Sequence, residues 1–260
     1  MADEVLYERR GRIAIITLNR PDKLNALNAA VFQGLADAWT RYRDEEDAWV
    51  AILTGNGRAF CVGADLSMMS DMSASARGEE TTGEGQIGRI VTPRNLNIYK
   101  PTIAAITGYA LAGGFWMATD CHLAVAAEEA EMGITEPKWN LPGGWAADVT
   151  RQLNMRHAIE VTIVPRRISA QRAYEMGFVN WVVPREQLMD KALEVAEAIL
   201  ENAPAAVRAY IETFYRTYNL PYDEAMSVAN EIQGDLLGMD DAREGTRAFM
   251  EKRKPEFKNR

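Results

Sequence analysis

The stretch PTIAAITGYALAGGFWMATDC, residues 101 to 121, decides the fold. Its first part, PTIAAITG, is a short apolar run closed by glycine, which predicts a buried strand. Its second part passes through the small-residue turn Ala112-Gly113-Gly114 into a hydrophobic segment of helical character. A strand that feeds a helix through such a turn aims bare backbone N–H groups at the carboxyl edge of a sheet, where anions and ligands bind. Phe115 and Trp116 follow at once, and an indole exchanges no proton at neutral pH. The turn is thus either an anion site whose neighbouring side chain is not an acid or a plain left-handed corner.

Outward from this unit the same alternation recurs. RIAIITLNRP (12–21) is an apolar, β-branched run ended by proline, and WVAILTGNG (49–57) and CHLAVAA (121–127) read as further strands. Between the first two lies NAAVFQGLADAWTRYRDEED (28–47), with helical spacing and Asn28 as its cap. Short apolar strands separated by helices require crossovers, so an α/β chain with a largely parallel sheet is expected. Residues 67–92, rich in Ser, Gly, Thr and Glu with a few Met, read as a lid or loop. SAQRAYEMG (169–177) is a helix from Ser169 to a stop at Gly177, and the last ~75 residues read as entirely helical.

The 260 residues fit one large α/β domain, with or without a small appendage. A hydrophobic share of 47% beside 25% charged residues suits a well-packed soluble enzyme. A net charge of −8 argues against binding nucleic acid, which needs clustered Lys and Arg. The charged N-terminus has no apolar core of signal-peptide length, and no window reaches the ~18 apolar residues of a membrane span. Cys61 and Cys121 make no disulfide framework, and no Cys/His cluster has zinc-ligand spacing. A cytoplasmic, reducing setting is expected, with no metal, no tightly bound cofactor and no membrane partner.

LNRPDKLNALN, GRAFCVGADL, AAITGYALAGG, GITEP and RRISAQRAYEMGFVNWVVP, in this order, make the chain resemble the crotonase (enoyl-CoA hydratase/isomerase) family. The resemblance runs from about residue 5 to GTRAFMEKRKPEFK near the C-terminus. It implies a crotonase-like spiral of ββα repeats over residues 1–195. A C-terminal helical trimerisation region over 196–260 would make a homo-oligomer, a trimer or a dimer of trimers. It also implies a coenzyme A thioester substrate whose carbonyl oxygen sits between two backbone N–H groups, here those of Ala64 and Gly113. Lys23, Leu24 and Ala26, with Asp65 and Leu66, would line the coenzyme A path. Met69, Gly114, Trp116 and Trp139 would line the acyl pocket. Ala112 stands where the family usually has the first of three glycines.

Two-acid hydratases of this family carry one Glu where this chain has Trp116 and a second at Glu136, in GITEP. One carboxylate therefore remains as general acid/base. Beside Ile134, Trp139 and Trp116, burial would raise its pKa towards neutrality. The context EPKWNLPGG is similar to the hydroxycinnamoyl-CoA hydratase-lyase type, which favours hydration. The tyrosines that hold a phenol in that group are matched by Met69 and the vicinity of Val228, which speaks against a 4-hydroxyphenyl substrate. A 3-enoyl to 2-enoyl-CoA isomerase, which needs a single base, and a non-catalytic acyl-CoA-binding protein remain as alternatives. His122 and His157 are expected to be structural, as are Cys61 and Asp120; Asp148 is a candidate to approach the pocket.

Overall fold

Strand β2 (Ile13–Leu18) shows why the sheet is buried on both faces. Its odd residues, Ile13 and Ile15, enter one apolar cluster, while Ala14, Ile16 and Leu18 enter another on the opposite face. The period of two repeats in β3 (Val50–Gly55), β5 (Thr102–Ile106) and β7 (Leu123–Ala127). These strands, with β10 (Trp181–Val183), run parallel in the order β2-β3-β5-β7-β10. Strand β1 (Val5–Arg10) adds an antiparallel edge to β2. The computed structural model describes residues 3–65, 74, 77–78, 91–141 and 143–260. Most of the expected lid, with Leu66 and Met69, lies outside these residues.

A second sheet holds three-residue strands that the sequence did not announce: β4 (Ala59–Cys61), β6 (Tyr109–Leu111) and β8 (Glu131–Gly133). They pair in parallel, and β9 (Ile168–Ser169) closes the edge antiparallel to β8. The chain spirals: β3 then β4, β5 then β6, β7 then β8, each pair placing one strand in the larger sheet and one in the smaller. Three residues are too few to display a period, so these strands hide inside the glycine-rich turns.

Helix α1 (Ala29–Asp44) is capped as expected, with the Asn28 side chain accepting from the Val31 N–H. The short α2 (Gly113–Thr119) follows β6, and α3 (Val149–Gln152), α4 (Met155–Ile163) and α5 (Ala170–Glu175) come next. Helix α6 (Leu188–Leu200) lays Leu188, Ala192, Val195 and Ala196 over the far face of the large sheet. The expected domain boundary at 195/196 therefore falls inside a helix of the main core. Helices α7 (Pro204–Thr217), α8 (Tyr222–Gln233) and α9 (Asp240–Glu251) follow, and residues 252–260 are not helical, contrary to the all-helical expectation. The buried Asp241 carboxylate holds this tail by accepting from the Lys258 and Asn259 N–H groups, each at 2.7 Å.

Candidate active site

Three adjacent parallel strands of the small sheet deliver three site residues to one edge. β4 leads to Ala64, β6 to Gly113 and β8 to Glu136, each within three residues of the strand's end. The register Leu111↔Gly133 and the 3.0 Å bond from Ala112 N–H to the Gly133 carbonyl fix the last two against each other. Neither the Ala64 nor the Gly113 N–H meets an acceptor among the described residues.

Glycine makes the close approach of the first two turns possible. A Cβ on Gly63, whose φ is +93°, would lie 2.6 Å from the Ala112 Cβ and 3.3 Å from the Gly113 nitrogen. A Cβ on Gly114 would fall on the Cys61 carbonyl, so Gly114 serves to seat α2 on β4. Ala112 itself takes φ +53° and ψ −123°, a region that disfavours a side chain. The replacement of glycine there leaves the Gly113 amide free and stores strain at the turn.

Of the expected coenzyme A path, Lys23 is exposed, Leu24 half-buried in a left-handed conformation (φ +51°) and Ala26 buried. Leu27 ties this segment to the Ala64 turn: its N–H donates to the Gly63 carbonyl and its carbonyl accepts from Asp65 N–H, both at 2.8 Å. Arg20 joins the same pieces, donating to the Ala26 carbonyl at 2.5 Å and lying 3.5 Å from the Asp65 carboxylate. The buried Asn25 donates to the Asn56 and Ala59 carbonyls and accepts from Arg20 N–H. It organises this segment without any motif having marked it; its signal is an Asn where the chain turns left-handed (φ +56°).

Glu136 opens a 3-10 turn and is half-buried. Its Oε2 accepts from the Thr135 N–H at 3.0 Å. Burial raises its pKa above the usual 4.5, opposed by backbone N–H groups of Glu136 and Thr135. Its neighbours differ in part from those expected. Ile134 is buried nearby, but Trp139 stands 65% exposed with the Lys138 ammonium 5.4 Å from its ring, so it does not enclose the carboxylate. Trp145 comes near the same turn through Gly143. Its ring stacks on Trp116 at 5.7 Å and 9°, and a Cβ added at Gly143 would meet Trp145 Nε1 at 3.8 Å and Glu136 Cβ at 4.0 Å.

His122, His157, Cys61 and Asp148 are each engaged in local contacts. The half-buried His122 has its pKa pushed down by desolvation to about 4, and its Nδ1 accepts from Thr102 N–H at 3.0 Å. His157 lies beside the Asn154 cap of α4. Burial lifts the Cys61 thiol to about 12, and its sulfur accepts from Gly63 N–H at 3.4 Å. Asp148 pairs with Arg94 at 3.5 Å. Among the described residues no group of three His, Cys, Asp or Glu side chains is placed to hold a metal, and no helix is long and apolar enough to cross a membrane.

The family model described as enoyl-CoA hydratase/isomerase matches residues 8–260. The chain belongs to the enoyl-CoA hydratase/isomerase family. It is 38% identical to the enoyl-CoA hydratase EchA19 of Mycobacterium tuberculosis, over 99% of this chain and 97% of that protein. It is 35% identical to the mevalonyl-coenzyme A hydratase sidH of Aspergillus fumigatus, covering 95% and 91% respectively. Among solved structures, an enoyl-CoA hydratase from Mycobacterium tuberculosis H37Rv superposes with a TM-score of 0.87 at 37% identity, over 99% and 100% of the two chains. The spiral described above is thus the crotonase fold.

Proposed function

We propose that this family member hydrates the double bond of a 2-enoyl-CoA thioester, or runs the reverse dehydration, with Glu136 as its sole acid/base. The observation that carries this reading is the convergence of two acceptor-free amides, Ala64 and Gly113, with a half-buried carboxylate on one sheet edge. Ionised Glu136 takes a proton from water as its oxygen adds to C3. The electron pair moves onto the thioester oxygen, where the two N–H groups stabilise the enolate. The same carboxyl group then returns the proton to C2, so that water is added and Glu136 is regenerated. Desolvation brings the Glu136 pKa closer to working pH, which suits a group that must both take and give a proton.

The names of relatives support hydration, among them a short-chain-enoyl-CoA hydratase and a carnitinyl-CoA dehydratase. Trp116 in place of the first acid favours a second reading, isomerisation of a 3-enoyl to a 2-enoyl ester, since one base can take a proton from C2 and return it to C4. Lys23, on the exposed rim, suits the phosphates of coenzyme A; Leu24, Ala26 and Asp65 flank the same path. Tyr222, Leu237 and Phe249 are 76%, 89% and 85% exposed, which supports a homo-oligomer built through the C-terminal helices.

Following the conjugated enoyl chromophore separates the readings. Loss of signal from a 2-enoyl-CoA ester means hydration, and gain from a 3-enoyl-CoA ester means isomerisation. Binding of both esters without turnover would refute both and leave the non-catalytic alternative.

A further inference from the structure

Hydration by a single carboxylate leaves the adding water short of a partner, because a bound water is fixed by several hydrogen bonds and Glu136 can only accept one from it. Trp116 does not supply the second, since its indole N–H is buried and turned to the Asp120 carboxyl. Trp145 is better placed. It lies in the 3-10 turn Gly144–Asp148 and stacks its ring on Trp116, 5.7 Å away and 9° from parallel. Both rings are half-buried. The stack fixes the plane of the Trp145 indole and so the direction of its N–H, which meets no acceptor among the described residues.

Gly143 shows what lies between this N–H and the acid/base. A Cβ there would have Trp145 Nε1 at 3.8 Å and Glu136 Cβ and Cγ at 4.0 Å as its nearest atoms, all at ordinary contact distance. The indole nitrogen and the glutamate side chain therefore flank one methyl-sized room, which residue 143 leaves open by lacking a side chain. A donor borders it on one side and a carboxylate on the other. A hydrocarbon there would strand the N–H, and an anion would be repelled by Glu136. A water satisfies both groups.

We propose that Trp145 holds the reacting water against Glu136, its indole N–H donating to the water oxygen while the water donates to the carboxylate. The inference rests on the hydratase reading. As the oxygen adds to C3, the π pair moves onto the thioester oxygen and the water's proton passes to Glu136, which returns it to C2. The indole keeps its proton throughout and acts by orienting the oxygen. In the reverse direction the same N–H donates to the C3 hydroxyl as it leaves, where negative charge grows. Trp116, standing where an acid could have held the water, thus acts through its stack to position a donor from another segment.

Gly143→Ala and Trp145→Phe test this. Gly143 has a φ of −143°, open to any side chain, and an added methyl group meets nothing closer than 3.8 Å, so it fills the room without straining the fold. Trp145→Phe keeps a ring on Trp116 and removes the donor. Two rates are measured in the wild type and both variants: hydration of short- and medium-chain 2-enoyl-CoA esters, and uptake of deuterium from heavy water at C2 of the matching saturated esters. The exchange uses Glu136 and the two amides but no water at C3. Each variant is expected to lose on the order of ten- to a hundredfold in kcat for hydration, with KM and C2 exchange within about threefold of the wild type. Hydration at the wild-type rate in either variant overturns the role of Trp145 and leaves the hydratase reading intact. A parallel loss of hydration and exchange does the same, since it marks a disturbance of Glu136 itself. A wild type that hydrates none of the esters overturns both readings.

Discussion

Gly63→Ala should disable catalysis by prising apart the two turns that carry the amides. The new Cβ would lie 2.6 Å from the Ala112 Cβ, whereas carbon atoms pack at about 3.5–4.0 Å. The turns must then separate by roughly 1 Å, and an oxyanion donor works only within about 2.7–3.1 Å of its target. Displacing one donor that far should lower kcat by about 10²–10³, with little change in affinity for the coenzyme A portion. The φ of +93° adds a backbone cost of about 1–3 kcal/mol to an alanine there, visible as a lower Tm. The assay is hydration of a 2-enoyl-CoA ester by the purified variant, with thermal unfolding measured alongside. The geometry also specifies a rescue. Ala112→Gly removes the atom that the new methyl group would strike, leaving only 3.3 Å contacts to Gly113 N and the Leu111 carbonyl. The double variant should therefore regain at least about tenfold in kcat, a coupling expected only of residues in contact. Wild-type turnover by Gly63→Ala, or a double variant no better than the single, would refute the reasoning.

Ala112→Gly alone should raise stability by about 1 kcal/mol, since relief of the strained φ of +53° outweighs the added freedom of the unfolded chain; denaturant titration checks it. Asp120→Asn should stabilise the protein at pH 7.5 by about 1–3 kcal/mol, because burial lifts the Asp120 pKa from 3.8 to about 6. A raised carboxyl pKa favours the folded state below pH 3.8 and loses that contribution as pH rises through 6, so the gain must shrink as pH falls from 7.5 towards 4. A gain independent of pH would contradict the assignment. The kcat/KM profile should fall on the acid side through a pKa above 4.5, that of Glu136 needed in its ionised form.

The long strands and α1 were legible for different reasons: Ile13 to Leu18, apolar on both faces, is an unbroken β-branched run of strand length, whereas Val31, Leu35, Ala38 and Tyr42 mark one buried helix face. The small sheet was not, since Ala59–Cys61, Tyr109–Leu111 and Glu131–Gly133 become strands only by pairing with one another. Glu136 and the two amides could be placed because motifs mark their turns. Trp145 could not, because its contact with Trp116 joins segments that are distant in sequence. Asp120 read as structural, and it does cap the C-terminal end of α2; its interactions with Thr92 and Arg94, residues from another turn of the spiral, carry no mark in the local sequence.

A lone carboxylate working opposite a pair of amides is tested most directly by the single-turnover rate of Glu136→Gln on a 2-enoyl-CoA ester. The rate should drop by about 10²–10⁴ while the ester's dissociation constant stays within about threefold. Hydration at the wild-type rate by that variant would contradict the assignment of Glu136 as the sole acid/base.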